Sequence, residues 1–166
     1  MTVSFADYCA SADARERIAA NVLEWTQMLC RSLEEDFVNE SIRRCEFFAD
    51  NNSDSKYYSE RLEKLKSGED CYEFVIESGR KYHKIIMVTE QGNRSVHAFV
   101  DKKTGELYKA ASYKAPAKGV RFYLRIIEQR EMVFTNCDWA GGYLYKYWVW
   151  LFLSDNWWKR QSIPLP

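Results

Sequence analysis

The residues of this 166-residue chain best placed to do chemistry are cations. Lys102, Lys103, Lys109, Lys114, Lys118, Arg121, Arg125 and Arg130 crowd into one stretch in which Asp101, Glu106 and Glu128 are the only acids, and Tyr108, Tyr113 and Tyr123 are interleaved with them. Cations that neutralise phosphates, alternating with rings on which bases stack, are what a single-stranded or structured nucleic-acid surface requires. A solvated sheet edge has a similar composition, because edge lysines discourage strand-to-strand aggregation. No RRM or C₂H₂ signature accompanies the pattern. Within the stretch, Lys102, Lys103, Lys109, Tyr113, Lys114, Pro116, Lys118, Arg121 and Arg125 are the candidates for binding nucleic acid or another partner.

Other chemistries find less support. His83 and His97 both fall in expected strands; if those strands pair, the rings could meet, and Asp101 or a cysteine could complete a site. Such histidines are more often ordinary sheet residues, so no catalytic residue is assigned. No Cys or His pair has ligand spacing, and neither metal nor cofactor is expected. Neither G-x-x-x-x-G-K-[ST] nor G-x-G-x-x-G occurs; Lys102 to Gly105 reads as a hairpin turn and Asp138 to Gly142 as a turn before a strand. A second surface is suggested near the C-terminus, where Trp157, Trp158 and Arg160 have the composition of a protein-interface hot spot.

The elements that must position these residues follow from patterning. Val96, Ala98 and Val100 alternate with His97 and Phe99, Asp101 to Gly105 turns the chain, and Leu107 to Tyr113 resumes an extended pattern, giving a hairpin. Pro116 and Gly119 then shape a loop from Lys114. No glycine or proline precedes Gly68, which permits long helices, whereas glycines at 79, 92, 105 and 119 punctuate strands. Ser11 or Asp13 caps a helix carrying Ile18, Val22, Trp25, Leu29 and Leu33 on one face, either continuous to about residue 49 or bent near Glu34 to Asp36. A second helix spans about 55–66. Strands are expected over 71–77 and 82–89, the latter apolar on both faces. A short helix is preferred to a fifth strand over 122–129. Tyr143, Tyr145 and Tyr147 alternate as in a strand.

The fold expected is α+β in a single domain, 1–166: a helical layer (11–66) on an antiparallel β-meander (71–113), then the basic loop and an aromatic C-terminal strand or helix (114–166). Ile18, Val22, Trp25, Phe74, Ile76, Ile85, Val88 and Val96 should be largely buried. The chain is 46% hydrophobic and 29% charged, which is a folded rather than a disordered composition. Its net charge is zero, yet residues 1–70 hold 15 acids and 9 bases and residues 71–166 hold 9 acids and 15 bases, so the two halves should attract different partners. The five cysteines are odd in number and unpaired in spacing, as free thiols of a reducing compartment would be. The N-terminus lacks a secretory pattern, and the longest apolar run is too short to cross a bilayer, so no membrane association is expected.

The segments HAFVDKKTGELYKAASYKAPAKGVR (97–121) and CDWAGGYLY (137–145) resemble a family of small uncharacterised proteins of tailed bacteriophages. Its most recognisable run, D-x-x-T/N-G-[DE]-[VLI]-Y-K-x-A-[SG]-[WY]-K-A-P-A-K, is met here by Asp101, Gly105, Tyr108, Lys109, Ala111, Tyr113, Lys114, Pro116, Ala117 and Lys118. The resemblance covers roughly a third of the chain. It implies a viral origin, and with it the cytoplasm of an infected bacterial host, but no activity. The expectation is therefore a non-enzymatic accessory protein that binds nucleic acid. The alternative is a protein that binds and modulates or inhibits a host (defence) protein, or a minor virion component.

Overall fold

The computed structural model describes residues 11–51 and 55–145. Its first element, α1 (Ala12–Asn51), is an unbroken helix of 40 residues. Ser11 caps it, its hydroxyl accepting the Ala14 N–H at 3.2 Å. Val22, Leu29, Leu33 and Phe37 form the buried stripe. Thr26 lies in the same stripe and is fully buried, which is tolerable because its hydroxyl donates to the Val22 carbonyl at 2.7 Å. The acids Glu34 to Asp36 do not divide the helix. Two of them reach across to other elements: Glu34 accepts the Phe74 N–H at 2.8 Å and Asp36 accepts the Trp139 N–H at 2.9 Å.

Helix α2 (Ser55–Ser67) packs Leu65 against Phe37 and Cys45, with Tyr58 and Leu62 at the margin. Gly68, at φ 83°, ends it: its N–H bonds the Leu65 carbonyl at 3.2 Å and that of Glu69 the Lys64 carbonyl at 3.0 Å. Five antiparallel strands follow in sequence order: β1 (Glu73–Ser78), β2 (Tyr82–Val88), β3 (Arg94–Asp101), β4 (Glu106–Lys109) and β5 (Phe122–Tyr123). One face of this sheet contributes Phe74, Ile85, Ala98, Val100, Leu107 and Phe122 to the core with α1. On β2 both Ile85 and Ile86 are fully buried, so the strand is covered on both faces, as its apolar run predicts. Of the eight expected core residues, Val22, Phe74 and Ile85 are buried and the other five partly buried.

Three local expectations are corrected. Residues 122–129 are not one helix: Phe122 and Tyr123 join the sheet, and α3 (Ile127–Asn136) begins later. The ladder holds this segment extended, because Arg121 and Leu124 donate their N–H groups to the carbonyls of Leu107 and Gly105. Gly142–Leu144 form a 3₁₀ turn where alternating tyrosines predict a strand. Tyr143 and Leu144 are both buried there, and consecutive residues of a strand point to opposite faces. The aromatic run from residue 146 onward lies outside the described residues. Finally, the register of β2 against β3 shifts at Ile85/Ile86: Ile85 faces Ala98, Ile86 faces Val96, and His97 is the extra residue of a β-bulge. The two histidines take separate partners, His83 the Ser78 hydroxyl (2.7 Å) and His97 the Tyr143 hydroxyl (3.1 Å).

Candidate functional site

Two turns meet at one end of the sheet. The β3–β4 turn is built by Asp101, whose buried carboxylate accepts the N–H groups of Lys103 (2.9 Å) and Thr104 (3.1 Å) and leaves Lys103 exposed. Lys102 ties it to the β1–β2 turn, donating its backbone N–H to the Lys81 carbonyl (3.0 Å) and its ammonium to the Gly79 carbonyl (3.2 Å). Lys81 stands 3.7 Å from the second oxygen of Asp101. Arg125 packs on Gly105, its Cγ 3.0 Å from where a Cβ at 105 would stand, so its stem runs beside the same turn, next to Val22 of α1.

The loop after β4 folds back toward this end. An isolated bridge between Ala110 and Pro116 closes it, and the Ser112 hydroxyl accepts the N–H groups of Lys114 (3.3 Å) and Ala115 (3.2 Å). Pro116 thus pins the loop neck. Tyr113 is presented on the surface with the Lys84 ammonium 4.4 Å from its ring. Lys114 joins Arg80, Lys81, Lys84, Tyr82 and Phe99 around a pocket of about 360 Å³, of whose lining Glu77 is the only acid. Glu77 is shared between Lys84 (3.6 Å) and Arg94 (2.6 Å). Ring contacts of Tyr82 with Phe99 and Tyr108 stiffen the pocket's aromatic side, and the Tyr108 hydroxyl donates to Glu106. Burial, followed by that bond, holds the Tyr108 phenol above its ordinary pKa.

Of the residues singled out from sequence, Lys102, Lys103, Tyr113, Lys114 and Arg125 therefore gather around this end. Lys109 and Arg121 face another feature. The Lys109 ammonium lies 3.7 Å over the Tyr145 ring, while Arg121 donates to the carbonyls of Leu144 (2.7 Å) and Gly119 (2.8 Å). Lys118 is exposed on the loop. Arg130 lies 4.5 Å over Trp25. Trp157, Trp158 and Arg160 lie outside the described residues. Sequence reasoning missed Arg80, Lys81 and Lys84. Their signal is the run Arg80-Lys-Tyr-His-Lys84, three cations around Tyr82, which the apolar character of the strand it opens concealed.

The site holds no arrangement of nucleophile and base. His97 is largely enclosed, and burial, opposed only weakly by Asp138, lowers its pKa to about 4. His83 is shifted in the same direction by burial and then by Lys102. Burial raises the thiols of Cys30 and Cys137 to about 12, in the range of inert rather than nucleophilic cysteines. Cys30, Cys45, Cys71 and Cys137 are all free, and no group of three or more His, Cys, Asp or Glu among the described residues is placed to hold a metal ion. No described helix is long and apolar enough to cross a membrane.

A family model, described as a family of unknown function (DUF7717), matches residues 5–146. The chain belongs to this family. The match spans every described element from α1 to the 3₁₀ turn, residues 97–121 and 137–145 included, and stops short of Trp157 and Trp158. No curated protein and no solved structure matches the chain.

Proposed function

We propose that this protein is a non-enzymatic accessory protein that binds nucleic acid at the basic end of its sheet. The observation that carries the reading is convergence: Arg80, Lys81 and Lys84 of the β1–β2 hairpin and Lys114 of the loop meet around one concavity beside exposed Tyr113, and Lys102 is joined to its rim through the Gly79 carbonyl. A concavity with rings suits an unpaired strand, whose bases can leave the stack, better than a duplex. The resemblance of residues 97–121 and 137–145 to tailed-phage proteins supports the cytoplasm of an infected bacterium as its setting.

Fluorescence-anisotropy titration with single- and double-stranded DNA and RNA at two salt concentrations tests the proposal. Binding should favour single strands and fall with log salt at a slope of about −0.7 for each phosphate neutralised. Replacing Arg80, Lys84 and Lys114 together by alanine should weaken it at least tenfold; Arg80 and Lys114 are exposed and contribute little to the fold, so the small fall in thermal midpoint expected comes from half-buried Lys84 and its pairing with Glu77. Absence of binding to every probe at low salt would remove the reading.

A second reading, association with a host protein, is supported by a different feature. Phe47 and Tyr57 are 62% and 56% exposed, and with Phe48 and Tyr58 they form a set of mutually contacting rings where α1 and α2 meet. Such an association would be insensitive to salt and nuclease and lost in a Phe47→Ser, Tyr57→Ser variant.

A further inference from the structure

Away from the basic end, a pocket of about 300 Å³ lies between the β3 bulge, the end of β4 and the segment 139–145. Its lining combines apolar surface (Met87, Val96, Leu144), two rings (Trp139, Tyr145) and two basic side chains, Lys109 and His97. The size is at the small end of ligand pockets. One wall is fixed from several directions. Asp138 accepts the N–H groups of Gly142 (2.9 Å) and Tyr143 (2.8 Å), Asp36 of α1 holds that of Trp139, and Arg121 holds the Leu144 carbonyl. A wall so anchored is preorganised rather than adaptable.

The proton on His97 can be placed by elimination. The Tyr143 hydroxyl is fully enclosed, and its hydrogen-bond partner is His97 Nε2. Were Nε2 protonated, the phenolic hydrogen would be left in the core without an acceptor, the costly case of a buried donor left unsatisfied. The phenol therefore donates, and the neutral ring carries its hydrogen on Nδ1. That edge lies beside Gly141, at φ 81°, where a Cβ would stand 3.4 Å from His97 Cε1 and 3.8 Å from Nδ1. Glycine keeps it uncovered. The two basic side chains at the pocket are thus donors, one of them charged, and what complements them is an anionic acceptor on a flat, apolar body.

We infer that this pocket binds a small aromatic acid, its ring against Trp139 and Tyr145, its carboxylate received by Lys109 with His97 Nδ1–H as a second donor. The bulge supplies the donor, the segment 139–145 the ring surface, and β4 the charge.

The test compares 2-naphthoate with naphthalene-2-carboxamide, a neutral molecule of the same shape, by saturation-transfer NMR and titration. The acid should bind at least tenfold more tightly than the amide. Lys109→Met should erase that advantage, Lys109→Arg should retain most of it, and Gly141→Ala should weaken both probes. Lys109→Met keeps an unbranched, half-buried stem and removes the charge, away from the basic end, so the nucleic-acid titration should stay intact and the two sites stand or fall separately. No saturation transfer to the acid at millimolar concentration, equal affinity for acid and amide, or an unchanged affinity in Lys109→Met would each overturn the assignment.

Discussion

His97 shows how much a single residue's role depends on the strand beside it. In sequence it is one more member of an alternating strand. In the structure the register shift makes it the extra residue of a bulge and points its ring at Phe74 and Tyr143. A bulge belongs to a pair of strands, so no reading of β3 by itself could place it. Arg121 is a parallel case: counted among surface cations, it spends its guanidinium on backbone carbonyls. The consequence for His97 is testable through pH. Its folded pKa, about 4, lies below the ordinary histidine value of about 6.5, so between these limits the unfolded chain binds the extra proton. Stability should be fully present above about pH 6.5 and fall by up to about 3 kcal/mol as pH drops to about 4. His83, shifted the same way with its Nε2 enclosed and without a partner, adds to the trend. Urea unfolding of the wild type and of His97→Gln at pH 7 and pH 4.5 isolates the contribution. Identical pH slopes in the two proteins would contradict it.

At the scale of elements, much was legible because the physics is local. The stripe Val22, Leu29, Leu33 marks α1, Ser11 caps it, and the glycines punctuate a meander whose strand order follows the sequence. What could not be read is what joins distant elements. Glu34 and Asp36 look like solvated helix acids, yet they hold β1 and the segment after α3, and an acceptor's partner 40 or 103 residues away leaves no mark on its neighbours. The same limit hid the basic site, whose members lie on separate elements. Gly105 joins both levels. Its φ of 69° is what the turn requires, and a Cβ would also meet Arg125 Cγ at 3.0 Å and Val22 Cγ2 at 3.4 Å. Gly105→Ala should therefore destabilise by about 1–3 kcal/mol, read as a lower urea midpoint, whereas Gly92→Ala, with open space around it, should show the backbone cost alone. Equal losses at the two positions would show that Arg125 and Val22 do not constrain the turn.

For the whole molecule, the uneven charge of the sequence becomes a spatial arrangement. Basic residues collect at the β1–β2 and β3–β4 turns, and Gly105 of the second turn lies against Val22 of α1. The exposed rings of Phe47 and Tyr57 sit where α1 gives way to α2. If the two proposed surfaces act independently, Arg80/Lys84/Lys114→Ala should weaken the proposed nucleic-acid binding at least tenfold without altering contacts made by the rings, and Phe47→Ser with Tyr57→Ser should do the reverse. Parallel titrations of both variants decide this, and loss of both activities in either variant would indicate one shared surface.

The continuity of α1 turns this separation into a length. From Val22 to Phe47 is 25 residues of uninterrupted helix, which at 1.5 Å per residue is a rigid strut of about 37 Å. The Debye length at physiological ionic strength is about 8 Å, so a polyanion lying on the turns would be screened from the far tip several times over. The strut is also longer than any strand it crosses: eight residues of β3, the longest, span about 27 Å. A strand of nucleic acid held at one end would leave the aromatic tip standing clear of it, at a fixed distance and in a fixed direction, with room for a second macromolecule to engage the tip without touching the first.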